Sequence, residues 1–407
     1  MHICFVCREY VPSLRGGGIA SYIKEMAIGL HNAGHQVTVI CASDDTTKES
    51  IADENGIHVI RLKGGDFYIP EVEKKNNFCK FRIFYRFYSY RKKILQAVNK
   101  LKNIDIIEVP DFGAEAYFLN KLSIPIVIRL HTPSLFDRET LGIAQYHGWK
   151  KLFYWTDKKE LKVIQQAQYI SSCSTSLKEW CVNNLSINEK KIHVTYNPVK
   201  LSSSASQKIF ENEKPTYQIV FAGTISKVKG CADLIEAGRI LTEKYHINIT
   251  LTLYGKTGSY AEELKPLEKR YPWLKIAGKI NRDQLIKEYQ SADLVCFPSW
   301  WDNMPMVCIE AMQAGAIVLG SSSGGMNEII TDGENGFLAE PRNPELWAEK
   351  MYTILNLNKS QKTLISNNSI QRINHDFSTE TITKQMIEYY QNVISNFKQH
   401  KHESSIR

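Results

Sequence analysis

The order of strands and helices along this chain predicts an α/β fold of two Rossmann-like domains, whose parallel sheets face a central cleft. Three observations carry that reading. Apolar runs of strand length alternate with segments of helical period, the pattern of a parallel sheet covered on both faces. A strand, a glycine-bearing loop and a helix open each half, at Ile3 and again at Ile219. At 407 residues the chain exceeds the size at which one hydrophobic core usually divides. Two such sheets would take ligands beyond the carboxyl ends of their strands.

In the first half, 3–7 reads as a strand, followed by a loop bearing Arg15-Gly16-Gly17-Gly18. A helix over 19–32 then carries Ile19, Tyr22, Ile23, Met26, Ala27 and Leu30 on one face, and Gly34 ends it. Strands are expected at 37–42, 57–62, 104–109, 125–131 and 169–174. A basic-aromatic helix is expected at 78–102, a short helix near 114–121, and a second long helix around 146–167. The serine-rich stretch 198–215 differs from its surroundings and reads as an interdomain linker between a domain at 1–197 and another at 216–377. There the alternation restarts, with strands at 218–223, 248–254, 273–278, 294–297 and 317–320. Helices are expected at 231–244, 260–270, 282–290, from Pro305, at 326–330 and at 345–355. A last helix is expected at 379–398, ahead of a disordered tail.

Composition bounds the class. Hydrophobic residues make up 43% and charged residues 23%, as in soluble globular proteins. No apolar run approaches the length needed to span a membrane, and no signal peptide is read at the N-terminus. The nine cysteines, an odd number, mostly sit in apolar runs and read as reduced buried thiols. Cys4 and Cys7 have metal-like spacing but fall on opposite faces of a strand. Formal charge is +8, and residues 72–103 alone hold ten Lys or Arg against one Glu. A local excess of that kind points to an acidic partner at one surface.

The stretch FPSWWDNMPMVCIEAMQAG, 297–315, organises the rest. A strand ends at Pro298, an aromatic-acidic turn follows, and a helix opens at Pro305, where a missing N–H is no loss. The free N–H groups of Met306 and Val307 would then form an anion site at a positive helix end. Asp302 precedes that end and Glu310 lies about 7 Å inside it at 1.5 Å per residue. A carboxylate, an anion hole and a second carboxylate in series suit a sugar, a diphosphate and a ribose.

This run resembles the second-domain signature of retaining glycosyltransferases of family 4 (glycosyl transferases group 1), which have the GT-B fold. The family has Glu-x7-Glu; this chain has Asp302-x7-Glu310, within Pro-Ser upstream and Glu-Ala-Met-x-x-Gly downstream. The resemblance implies that Glu310 grips the ribose and Asp302 the donor sugar. Asn303, Met304, Met306 and Val307 are implied donor contacts beside them. FAGTISKVKG resembles the family's F-V-G-R-L-x-x-x-K-G, which implies that Lys229 stabilises the leaving diphosphate. Thr224 stands where the family has arginine, so Lys227 or an arginine elsewhere is expected to supply that charge. Gly17 and Gly18 match a loop beside the diphosphate, His131 a residue that touches the donor sugar, and the backbone near Ile280 a base contact. SSSGGMNE and DGENGFL match cleft-supporting patterns, and Asp111-Phe112-Gly113 reads as a strand end rather than a kinase motif. The last helix, 378–398, is implied to pack back on the first domain.

The function these residues imply is retaining transfer of a sugar from a UDP- or GDP-sugar to a glycan, glycolipid or lipid-linked acceptor in cell-surface polysaccharide synthesis. No nucleophile, metal or other cofactor is expected, since no Asp-x-Asp pair is present to hold a cation. No nucleic-acid partner is expected. The segment 78–95 sets aromatics (Phe78, Phe81, Phe84, Tyr85, Tyr88) among basic residues (Lys80, Arg82, Arg86, Arg91, Lys92, Lys93), which suits peripheral contact with an anionic membrane. A cytoplasmic protein at the inner face of the membrane follows. The competing readings are a sugar-nucleotide epimerase of the same fold and an NAD-dependent dehydrogenase. Against the latter, the first glycine loop lacks G-x-G-x-x-G and lies nine residues past its strand.

Overall fold

The computed structural model describes residues 1–13, 17–45, 47–64, 79–134, 155–201, 208–211 and 214–406, with side chains for these other than 79–83, 402 and 404–406. The first half runs β1 (His2–Val6), α1 (Gly18–Asn32), β2 (Gln36–Ala42), β3 (Ser50–Glu54), β4 (Ile57–Leu62), α2 (Cys79–Lys100), β5 (Ile106–Pro110). A 3₁₀ turn (Glu115–Lys121), β6 (Ile126–Leu130), α3 (Trp155–Gln166), β7 (Tyr169–Ser172), α4 (Thr175–Leu185) and β8 (Ile192–Val194) complete it. The second half runs β9 (Tyr217–Ala222), α5 (Cys231–Glu243), β10 (Ile249–Tyr254), α6 (Ser259–Arg270), β11 (Leu274–Gly278), α7 (Arg282–Ser291), β12 (Leu294–Phe297). It ends with α8 (Met306–Gln313), β13 (Val318–Ser321), α9 (Met326–Ile329), β14 (Phe337–Ala339), α10 (Pro344–Leu355), α11 (Lys359–Asp376) and α12 (Thr379–Ile406).

Among the described residues these strands form two sheets, in the orders β3-β4-β2-β1-β5-β6-β7-β8 and β11-β10-β9-β12-β13-β14. Every pairing is parallel except β3 with β4. β1 shows why the sheets are covered on both faces. Cys4 and Val6 point into a core with Phe87, Tyr90 and Ile94 of α2. Ile3, Phe5 and Cys7 point the other way, against Tyr22, Met26 and Leu30 of α1. The same second face holds Ile382, Met386, Tyr390 and Val393, so α12 leaves the second domain and closes the first domain's core. α1 and α12 cross so closely that a Cβ on Gly29 would stand 2.1 Å from Thr383 Oγ1.

Several expectations are corrected. Pro305 is the N-cap of α8, with Met306 the first helical residue. β3 was not anticipated, because an exposed edge strand of mixed polarity shows no apolar run. The tail does not stop at 398: α12 continues to Ile406. The stretch 198–215 is anchored at its ends. Val199 exchanges backbone bonds with Phe377 and Thr379, at 2.8 and 3.1 Å, so the two crossovers between domains lie side by side. Phe210 is buried in the second core, and Lys208 donates to the carbonyls of Tyr289 and Ala292 at the end of α7. The start proposed for the helix at 146 lies outside the described residues.

Candidate active site

Each sheet has one point where its strand order reverses, between β1 and β5 and between β9 and β12. The loops beyond such a point diverge and leave a crevice. The two crevices face each other and form a cavity of about 470 Å³. The first domain contributes Gly18 and Ile19 at the start of α1, Phe112 after β5, His131 and Thr132 after β6, and Asn197. The second contributes Gly223 and Thr224 after β9, Lys229, and the turn from Ser299 through Asp302 to Val307.

The second-domain wall is built on tight backbone contacts. Gly255, at φ +152°, lies so close to the Gly223 carbonyl that a Cβ would stand 1.6 Å from its oxygen. Gly230, at φ +67°, closes the 3₁₀ turn Lys227–Lys229 against the Pro298 carbonyl. Trp300 N–H donates to Val228 O at 2.8 Å, tying that turn to the aromatic loop. Across this joint the Lys229 ammonium is paired with the Asp302 carboxylate. Lys227, expected as one candidate source of the charge lost at Thr224, is not among the residues lining the cavity. It sits over the Trp300 ring, 5.6 Å from its centroid, with Arg342 on that ring at 3.9 Å. Among the described residues lining the cavity, Lys229 is the one lysine or arginine.

Glu310, Ile280 and Gly17 are not part of the cavity wall. Glu310 sits deeper along α8 and receives the Arg282 guanidinium at 2.9 Å. Burial pushes its carboxyl up from the usual range, and Arg282 opposes that shift. Ile280 is two residues before Arg282, so the base-side candidate is close in sequence to the partner of the ribose-side candidate. The N–H groups of Met306 and Val307 belong to the opening turn of α8, which has no intrahelical acceptors for them. Gly17 is the exposed N-cap of α1, and Arg15 and Gly16 lie outside the described residues.

His131 is buried, and its Nε2 has no hydrogen-bond partner. Burial, reinforced by the nearby Arg129 charge, holds the imidazole well below the usual histidine range, so it is neutral at pH 7. The His131 backbone N–H donates to Asp111 Oδ1 at 3.0 Å. Tyr22 packs edge-on against the His131 ring at 4.9 Å. The Tyr22 and Tyr390 hydroxyls each donate to one oxygen of buried Glu108 at 2.8 Å, which links α12 to the cavity wall through three side chains.

Two bridges hold the domains together at the cavity rim. Asn303 donates its amide to His131 O and to Thr132 Oγ1, both at 2.6 Å, so this expected donor contact is first a brace across the cleft. Glu328, at the start of α9, accepts the N–H groups of Thr175 and Ser176 at 2.9 and 3.1 Å and so caps α4 of the other domain. Neither bridge has a sequence signal, since each joins residues more than 150 positions apart. Arg282 and Asn197 were likewise missed. Phe112, within the run read as a strand end, does line the cavity.

Profiles of two families match the chain: Glycosyltransferase Family 4 over residues 16–203 and Glycosyl transferases group 1 over residues 203–371. An uncharacterized glycosyltransferase of Methanocaldococcus jannaschii is 28% identical over 415 positions, covering 96% of this chain and 98% of the relative. Sucrose-phosphate synthase from Thermosynechococcus elongatus superposes with a TM-score of 0.77 at 17% identity, over 97% of this chain and 99% of that one. Anabaena HepE in complex with UDP superposes at 0.66 with 18% identity, over 96% and 100% of the two chains. The same protein is solved with UDP-glucose. The architecture is GT-B.

Proposed function

The chain belongs to the glycosyl transferases group 1 and is a glycosyltransferase of GT-B fold, and from that premise we propose that it transfers a sugar with retention from a nucleoside-diphosphate sugar. The observation that carries this reading is the cavity itself. Lys229, Asp302 and the open first turn of α8 line one wall, and the neutral His131 imidazole, its Nε2 without a hydrogen-bond partner, lies opposite. The binding of UDP and UDP-glucose by HepE supports a donor of that class.

In this mechanism the α8 N–H groups and Lys229 take up the negative charge that develops on the departing diphosphate, the kind of stabilisation that often dominates transfer chemistry. Glu310 holds the ribose, and His131 and Asp302 hold the sugar. No side chain acts as nucleophile. A panel of nucleotide sugars tested by thermal shift identifies the donor, because a ligand at 100 times its dissociation constant adds about 2.7 kcal/mol. Absence of any shift across UDP-, GDP- and ADP-sugars would count against the proposal. Glu310→Gln is expected to lower transfer at least about tenfold with an unchanged melting temperature, the loss of one charged hydrogen bond. Unchanged kinetics would remove Glu310 from the site.

Transfer is further expected to need no divalent cation, since Lys229 and α8 perform the electrostatic work that a metal otherwise does. A chelator should leave initial rates unaltered; loss of activity with rescue by manganese or magnesium would overturn this.

The acceptor is proposed to be presented at an anionic membrane surface in cell-surface glycoconjugate synthesis. Among the described residues no helix is long and apolar enough to cross a membrane, so this contact would be peripheral. The proposed surface is smaller than the sequence suggested. Arg91 is fully buried and donates to the carbonyls of Phe87, Gly113 and Ala114. Phe84 and Tyr88 pack on Trp155. Tyr85 is 74% exposed, with Arg86, Lys92 and Lys93 near it on α2; the side chains of 78–83 lie outside the described residues. Wild-type protein should float with anionic vesicles at low salt and the Arg86, Lys92, Lys93 triple Glu variant should not. Equal flotation of both would discard this surface.

A further inference from the structure

The Lys229–Asp302 pair does more than supply two ligand contacts. Both residues line the cavity, with side-chain exposures of 29% and 18%. Their backbones are fixed relative to each other. The Asp302 carbonyl accepts the Gly325 N–H at 2.8 Å and is pressed against Gly324, where a Cβ would stand 2.2 Å from its oxygen. The lysine's turn is tied to the same loop through Trp300 and Val228. The pairing is therefore a property of the fold, not of two long side chains meeting by chance.

We infer that Asp302 is a specificity-determining residue that discriminates against the bare nucleoside diphosphate, by competing with it for the Lys229 ammonium. This rests on the function proposed above. An anion that takes Lys229 must displace the carboxylate or share the cation with it. A nucleoside diphosphate leaves that carboxylate without its partner and beside two phosphates, where like charges repel. A nucleotide sugar brings hydroxyl donors that satisfy the displaced carboxylate, so the pair is exchanged rather than lost. Substrate is favoured over product in one and the same site, and the diphosphate is expelled once the sugar has gone.

The test is isothermal titration with UDP, GDP, ADP and inorganic pyrophosphate, followed by the matching nucleotide sugar. Asp302→Asn is expected to bind the preferred nucleoside diphosphate about fivefold or more tighter, the scale of a partly exposed ion pair. The nucleotide sugar should gain less or bind more weakly. Asp302→Glu, which keeps a carboxylate within reach, should retain most of the wild-type ratio, and Asp302→Ala should repeat the Asn result if the Asn variant folds poorly. Asn and Ala variants that bind the diphosphate no more tightly than wild type would overturn the inference while leaving the transferase reading intact. Wild-type protein that binds none of these nucleotides would overturn both.

Discussion

Replacing Lys229 by alanine is expected to reduce transfer by about two to three orders of magnitude, the range found when one preorganised charge-stabilising donor is removed. Among the described residues lining the cavity no other lysine or arginine remains to take over. Lys227 is held on Trp300, and Arg282 is engaged by Glu310. The deletion also leaves Asp302 facing the diphosphate unneutralised, so the loss should fall on donor binding as well as on turnover. Initial rates with the donor found by the nucleotide panel measure it, with a melting curve to show that the fold survives. Lys229→Arg should restore part of the rate. A loss below about tenfold would move the main charge stabilisation elsewhere, with the open turn of α8 as the first candidate.

Gly255→Ala is expected to be among the most damaging single substitutions in the second domain, by about 3 kcal/mol or more, through backbone strain and collision together. The residue sits at φ +152°, and its Cβ would enter the Gly223 carbonyl. Gly255 N–H is meanwhile bound to Gly278 O at 2.8 Å, and Gly223 N–H to Tyr254 O at 3.0 Å, so neither strand end can retreat without losing a bond. Thr224 would be displaced at the cavity edge. Gly258→Ala is the control: φ is ordinary there and nothing lies within 4 Å, so a change below about 1 kcal/mol is expected. Similar melting temperatures for the two variants would refute the argument.

The features legible in the sequence were those set by local pattern. Buried parallel strands such as 37–42 and 294–297 announce themselves as continuous apolar runs, and α1 by its recurring apolar face. The turn from Asp302 to α8 was legible because proline, carboxylates and an apolar helix occur there in register. Short strands at a sheet edge, such as β8 and β14, carry too few residues for any period to register. Side chains whose meaning depends on a distant partner were only partly legible. Arg91 belongs by spacing to a basic helix face, yet the carbonyls of Gly113 and Ala114 draw it inward. Asn303 lines the cavity, and its further part as a brace to His131 and Thr132 was not legible. Glu328, expected only to support the cleft, does so by capping a helix of the other domain, a partner its sequence context does not name.

The position of α12 has a consequence for the order in which the protein can be made. Ile382, Met386, Tyr390 and Val393 complete the face that Ile3, Phe5 and Tyr22 begin. The first domain leaves the ribosome long before that helix exists, and domains generally fold as they emerge. Until residues 379–393 are released, the nascent first domain keeps an apolar face open to solvent, and Glu108 lacks the hydroxyl that Tyr390 brings to it. Translation that halts before residue 379 would leave a chain with its earliest-made core unsealed, a species for chaperones or proteases to recognise.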